Sequence, residues 1–277
     1  ILVTGGTGFL GSTLIKQLID EGHAIIATKR EKSKIPDFLR SSSLIQWVNA
    51  DITDYFALAD LFKGVSKVYH CAAIVSYQKK DALLMNRVHI EGTKNIVNLS
   101  LEHQARLVHV SSIVALGTNK QGKPVNEKDK WEYDRNISKY SLSKYKSELE
   151  VWRGIVEGLD AVIVNPSLIM CSSAGIKGSG KIFELVNKGL SIYTSGSIGI
   201  VDVEDVARAM IVLMDRTDIH SERFILNSDN ITNKKLLEKI ALLLNKKAPN
   251  KEASTFLLGI GWRLAGVKAF FNGKIPA

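Results

Sequence analysis

Eight residues near the start of the chain, TGGTGFLG from Thr4 to Gly11, restrict its fold more than any other segment. Gly5, Gly8 and Gly11 stand between the apolar run ILVT and a stretch with helical periodicity over 9–21. Glycine loses more conformational freedom on folding than any other residue, so three at one strand-to-helix corner imply a close approach of backbone to something. Gly5 permits the tight turn, Gly8 lets the main chain approach a pyrophosphate, and Gly11 lets helix and strand pack closely. The helix N-terminus then offers unpaired N–H groups and a partial positive charge to an anion.

The corner opens a longer rhythm. Apolar runs at 1–4, 24–28, 44–48, 67–71, 106–110 and 160–164 read as strands. Helical periods fill 9–21, 55–62, 81–103 and 138–157, with Gly22, Gly64 and Gly158 placed as left-handed caps. Strand–helix alternation predicts an α/β fold, a doubly wound parallel sheet (Rossmann) over residues 1–165. After Pro166 the segment SSAGIKGSG is a glycine- and serine-rich loop and the strands shorten. Residues 166–277 are therefore expected to form mainly a smaller mixed unit on the substrate side of a cleft, with RFILNS returning to the first sheet. The start at Ile1 without methionine and the ending FFNGKIPA suggest a natural chain that continues past both ends.

Composition narrows the partners. The net charge is +9, but Lys and Arg are scattered rather than clustered with aromatics, which argues against nucleic acid and fits a solvated surface with an anionic ligand. Two cysteines, Cys71 and Cys171, supply no disulfide framework and suit the reducing cytoplasm. No apolar run reaches the length of a membrane span, so membrane association is not expected. The stretch TFLLGIGWRLAGVKAFF, apolar around much of a helix, reads as core, as a lid over substrate, or as a membrane-surface helix. His23, His70, His103, His109 and His220 show no metal-ligand spacing, and no metal site is expected.

Two further features carry chemistry. The second strand ends in Thr28, Lys29, Arg30 and Glu31. A cation there suits a 2′-phosphate and a carboxylate suits a free ribose; Arg30 is the better placed, which favours NADP(H), with Glu31 keeping NAD(H) open. Within KYSLSKYKSELE, Tyr140 and Lys144 lie four residues apart and so share one helical face. An ammonium beside a phenol is expected to favour the phenolate and lower its pKa, making Tyr140 a general acid or base. Ser111 and Ser112 end the fifth strand, where an open parallel sheet faces its cleft, so Ser112 is placed to hydrogen-bond the carbonyl oxygen that Tyr140 protonates.

These segments, in this order, resemble the extended short-chain dehydrogenases/reductases, the group that includes the sugar epimerases. TGGTGFLG is similar to the glycine motif of that family, implying cofactor contacts from Gly5, Thr7, Gly8, Phe9, Leu10 and Gly11. ADITD implies Asp51 and Ile52 at adenine, HCAAIVSY implies Ala72 and Ala73 along the cofactor, and VNPSLIMC implies Pro166 against the nicotinamide. SSIVALG and YSLSK imply Ser112, Tyr140 and Lys144 as the catalytic set. In VHIEGTKNI, His89 stands where the family usually has asparagine, which puts the hydrogen bonds between sheet and helix in question. The basic end of strand two and NPS look most like the dihydroflavonol reductase and 3β-hydroxysteroid dehydrogenase branch. The activity implied is hydride transfer between NADP(H) and the carbonyl or alcohol of a small, largely apolar molecule. One alternative is an NDP-sugar epimerase or dehydratase with tightly held NAD; another is a dinucleotide-binding sensor or scaffold without turnover. The resemblance also implies a homodimer paired through the helices at 81–103 and 138–157.

Overall fold

The computed structural model describes residues 1–117, 124–129, 131, 132, 134, 137–171 and 178–253. Most of the SSAGIKGSG loop (172–177) and all of 254–277, including the TFLLGIGWRLAGVKAFF stretch, lie outside them.

Seven strands form one parallel sheet: β1 (Leu2–Thr4), β2 (Ile25–Lys29), β3 (Ile45–Asn49), β4 (Lys67–His70), β5 (Arg106–Val110), β6 (Ala161–Pro166) and β10 (Glu222–Leu226). Their order is β10-β6-β5-β4-β1-β2-β3. The chain runs outward from β1 to β3 and then resumes on the other side of β1 with β4. Order therefore reverses between β1 and β4, and a crevice opens at the carboxyl ends of those two strands.

Side chains alternate across the sheet with a period of two. Leu2, Val68, Leu107, Ala161 and Ile163 point to one face, where α2 (Tyr55–Ala59), α4 (Gly92–Glu102) and α5 (Lys139–Val156) bury Leu58, Ile96, Val97 and Val151. Val3, Tyr69, Val108, Val162 and Val164 point to the other, against α1 (Phe9–Asp20) and α7 (Val203–Asp215). On that face Leu14, Ile15 and Leu18 of α1 meet Val206, Met210 and Met214 of α7, residues spaced to make one apolar stripe on each helix. Gly22, Gly64 and Gly158 do take positive φ just past their helices.

The chain leaves the large sheet after β6 and comes back to it. A three-stranded mixed sheet joins β7 (Leu168–Met170), β9 (Ser197–Asp202) and β11 (Asp229–Thr232), while β8 (Ile192–Tyr193) pairs with β12 (Lys251–Glu252). A small core of Val186, Ile231, Leu236 and Ile240 sits between α6 (Gly180–Asn187) and α8 (Asn233–Leu243). Residues 222–226 pair in parallel with β6, so β10 forms an outer edge of the large sheet.

The helix expected over 81–103 is not continuous. After α3 (Ala82–Asn86) the hydrogen bonding widens to an i→i+5 turn over Arg87–Glu91 before α4 begins. Such a turn inserts one residue and re-aims its side chains. Here it turns His89 inward, to 1% exposure, and places Gly92 against Ile52, whose Cδ1 would lie 2.5 Å from a Cβ at that glycine.

Candidate active site

The glycine corner sits at the reversal point of the sheet. Gly5 has φ +69°, and a Cβ there would come within 2.7 Å of Ala72 main-chain atoms at the exit of β4. A Cβ on Gly11 would run into the Gly5 carbonyl oxygen. Packing thus accounts for both. Gly8 is different: it is exposed, its φ of −75° and ψ of 160° suit any L residue, and among the described residues a Cβ would meet only the Gly5 oxygen, at 3.2 Å. Gly8 lies at the N-terminus of α1. The first main-chain bond of that helix runs from Ser12 N–H to Gly8 O, so the amides of Phe9, Leu10 and Gly11 have no carbonyl behind them in the helix. No side chain caps this end and no acidic residue stands in the first turn. The cradle fits a diphosphate, and Gly5 to Gly11 with Thr7 would hold it.

On the β2 side of the crevice, Lys29 Nζ donates to Asn49 Oδ1 at 2.5 Å, while Arg30 is exposed at the strand end. Asp51 accepts from the Thr53 amide at 2.9 Å and from its hydroxyl at 2.8 Å. The Thr53 amide, with Arg87 and Arg30 nearby, holds the Asp51 carboxyl below its usual pKa. Ile52 is buried, packed on Gly92, and its carbonyl accepts from Asn95 Nδ2 at 3.0 Å. Ala72 is half-buried with its amide on Thr4 Oγ1 at 3.3 Å, Ala73 is exposed, and Pro166 is buried at the end of β6.

The structure brings Ser112 and Tyr140 together, with Lys144 one turn along α5. Ser138 begins that helix by accepting from the Ser141 amide at 3.0 Å, which sets Tyr140 and Lys144 in its first two turns. Tyr140 is 8% exposed and Lys144 3%. Asn165 Nδ2 donates to the Ser112 carbonyl at 3.1 Å and so fixes the serine main chain.

The electrostatics differ from the sequence expectation. Lys144 Nζ donates to Val110 O at 2.7 Å, and the phenol of Tyr140 is raised to about 12 rather than lowered. Burial is the main cause, the Tyr77 phenol adds to it, and a hydrogen bond from Ser112 opposes it. Burial also lowers Lys144, to about 8, against the pull of Glu148 and Cys71. Tyr140 is thus a protonated acid at neutral pH.

Three further side chains complete the site. Tyr77 packs against Tyr140, ring centroids 5.6 Å apart at 60°, and is 66% exposed. Glu148, 2% exposed, accepts from Ser111 at 2.6 Å, Asn165 at 2.8 Å and Arg223 at 3.1 Å, tying α5 to β5, β6 and β10. Its signal was available, one turn beyond Lys144 on the same face. His89 accepts the Ile74 amide on Nε2 at 3.0 Å and bonds Ser143 Oγ through Nδ1 at 2.9 Å. The sheet-to-helix bonds put in question by the missing asparagine are therefore made, by an imidazole.

Known proteins share this fold. The model of the NAD dependent epimerase/dehydratase family matches residues 1–226. A putative dihydroflavonol 4-reductase of Synechocystis sp. is 30% identical over 268 residues, 94% of this chain and 77% of that protein. Tetraketide alpha-pyrone reductase 2 of Arabidopsis thaliana is 29% identical over 271 residues, 90% of this chain and 83% of that one. The crystal structure of gox2253 superimposes with a TM-score of 0.84 at 28% identity, covering 99% of this chain and 84% of the other. The fold is also that of the Thermotoga maritima UDP-glucose 4-epimerase, with a TM-score of 0.79 at 21% identity over 91% of this chain and 84% of that one. The family match starts before the glycine corner and ends with the last residue of β10, so it takes in the whole large sheet. On that ground the chain belongs to the NAD-dependent epimerase/dehydratase family, the extended short-chain dehydrogenases/reductases, as an NAD(P)-dependent oxidoreductase.

Proposed function

We propose that this protein reduces the carbonyl of a small, largely apolar molecule with NADPH, and in the reverse direction oxidises the corresponding alcohol. The observation that carries the reading is geometric: the buried Tyr140 phenol stands next to the Ser112 hydroxyl, with Lys144 one turn along α5 and the exposed Tyr77 ring packed against the phenol. The bound dinucleotide supplies or accepts the hydride. Tyr140 Oη gives its proton to the carbonyl oxygen, and Ser112 Oγ hydrogen-bonds that same oxygen as charge develops on it. Lys144 places its positive charge one turn along α5, where it stabilises the phenolate left behind.

Arg30, exposed while Lys29 is engaged by Asn49, is the cation that favours a 2′-phosphate. Relatives named as reductases of dihydroflavonol and tetraketide α-pyrone support carbonyl reduction, and the exposed side chains of Leu149 and Val156 along α5 suit a second copy of the chain. The test is NADPH oxidation against a panel of aldehydes, ketones and sugar nucleotides. Tyr140→Phe is expected to lose at least about a hundredfold in rate, the scale of a positioned proton donor. Unchanged turnover in that variant removes Tyr140 from the mechanism. Tighter binding of NADH than NADPH overturns the cofactor preference, and co-purified NAD with stabilisation by UDP points instead to the epimerase alternative.

A further inference from the structure

The bonds around His89 leave its protons no freedom. A backbone amide can only donate, so Nε2, which receives Ile74 N–H at 3.0 Å, must carry a lone pair. A neutral imidazole then has its hydrogen on Nδ1, and Nδ1–H donates to Ser143 Oγ at 2.9 Å. Ser143, having accepted, donates its own hydrogen to the Tyr140 carbonyl oxygen at 2.8 Å. Every hydrogen in the chain from Ile74 to Tyr140 thus has one place.

That chain joins two parts of the crevice. Ile74 lies three residues before Tyr77, whose ring packs against Tyr140, and Tyr140 carries the proton that is transferred in the reading above. The imidazole also stands edge-on to the Tyr140 ring, centroids 5.9 Å apart at 72°, opposite no solvent, since His89 is 1% exposed. Lys144 and His70 face it from α5 and β4, and burial among them keeps the ring neutral, with its pKa down to about 3.

We propose that His89 is a positioning residue for Tyr140, which, as the Nδ1–H tautomer, holds the catalytic phenol in register with the substrate-facing segment 74–77. This rests on the reading of Tyr140 as proton donor. What the position demands is one acceptor and one donor a ring's width apart, which an asparagine amide also provides and a phenyl ring does not.

The first experiment reads the tautomer, using long-range proton–nitrogen NMR correlation on the full chain, and does not depend on turnover. A protonated Nδ1 and bare Nε2, unchanged between pH 8 and pH 5, are expected; an Nε2–H tautomer, or titration in that range, overturns the proposal. The second compares His89→Phe with His89→Asn. The phenyl variant is expected to lose about ten- to a hundredfold in kcat, the scale of a slightly misplaced reacting group, with NADPH affinity unchanged. The asparagine variant is expected to recover most of that loss. Equal kcat in the phenyl variant and wild type, or failure of asparagine to recover more than phenylalanine does, refutes it. Should wild type bind NADPH yet reduce no carbonyl, the functional reading fails, and the tautomer alone decides the inference.

Discussion

Replacing Lys144 by methionine removes a buried charge, and the structure fixes how the effect must vary with pH. Burial lowers this ammonium from 10.5 to about 8, although Glu148 and Cys71 pull the other way. Between those values the unfolded chain holds the proton more tightly than the folded one, so wild type carries the full penalty at pH below about 8 and sheds it as pH rises toward 10.5. The gap corresponds to about 3 kcal/mol at pH 7, at about 1.4 kcal/mol per pH unit. Methionine escapes that penalty but orphans the Val110 carbonyl, which accepts from Lys144 at 2.7 Å, at a pH-independent cost of about 1–3 kcal/mol. The sign at neutral pH alone is therefore a weak test. The informative quantity is the difference in unfolding free energy between the two proteins, from urea titrations with matched m-values. It should shift by about 2 to 3 kcal/mol in favour of wild type from pH 7 to pH 10. Other ionisations cancel in the difference, and Tyr140, at about 12, stays protonated throughout. A difference that does not move with pH would mean that Lys144 is hydrated or otherwise compensated, and the electrostatic account of the site would be wrong.

Further outcomes follow from the same geometry. Carbonyl reduction is expected to weaken as pH rises through about 8, where Lys144 loses its proton; a flat kcat profile to pH 10 would contradict its role. Gly8→Ala, whose Cβ would stand 3.2 Å from the Gly5 oxygen, should cost less stability than Gly11→Ala while weakening NADPH binding measured by fluorescence. Gly11→Ala, which drives a methyl into the Gly5 carbonyl, should instead lower Tm by several degrees. Tyr77→Ala should raise KM for apolar ketones about tenfold, with Tyr77→Phe close to wild type. Arg223→Met, which strips the cation from Glu148 at 3% side-chain exposure, should cost about 3 kcal/mol in urea denaturation.

Much of this arrangement is written in local pattern. Strands with apolar residues on both faces, and helices closed by Gly22 or Gly158, declare themselves because their periods and caps depend on neighbours in sequence. The pairing of Ser112 with Tyr140 was legible as well, because a parallel sheet sends successive strand ends to one edge. The wide turn at Arg87–Glu91 was not, since a slip of one residue in hydrogen bonding leaves the apolar spacing of 81–103 intact. Nor was the raised phenol of Tyr140: the spacing to Lys144 is local, but the burial that outweighs it comes from elements distant in sequence. Tyr77 escapes for the same reason, its partner lying 63 residues away, and His89 stood out as a departure while its partner Ser143, 54 residues away, did not.

The position of β10 has a consequence during synthesis. β6 is buried along all six residues in the finished protein, yet its outer neighbour is Glu222–Leu226, translated only after the small sheet's β7 and β9 and the helices between. At about 5–20 residues per second, a nascent chain leaves the AVIVNP edge unpaired for several seconds. That interval is when the polypeptide is most open to strand addition from another copy, so slowing translation after Pro166 should increase aggregation more than slowing it after Leu226.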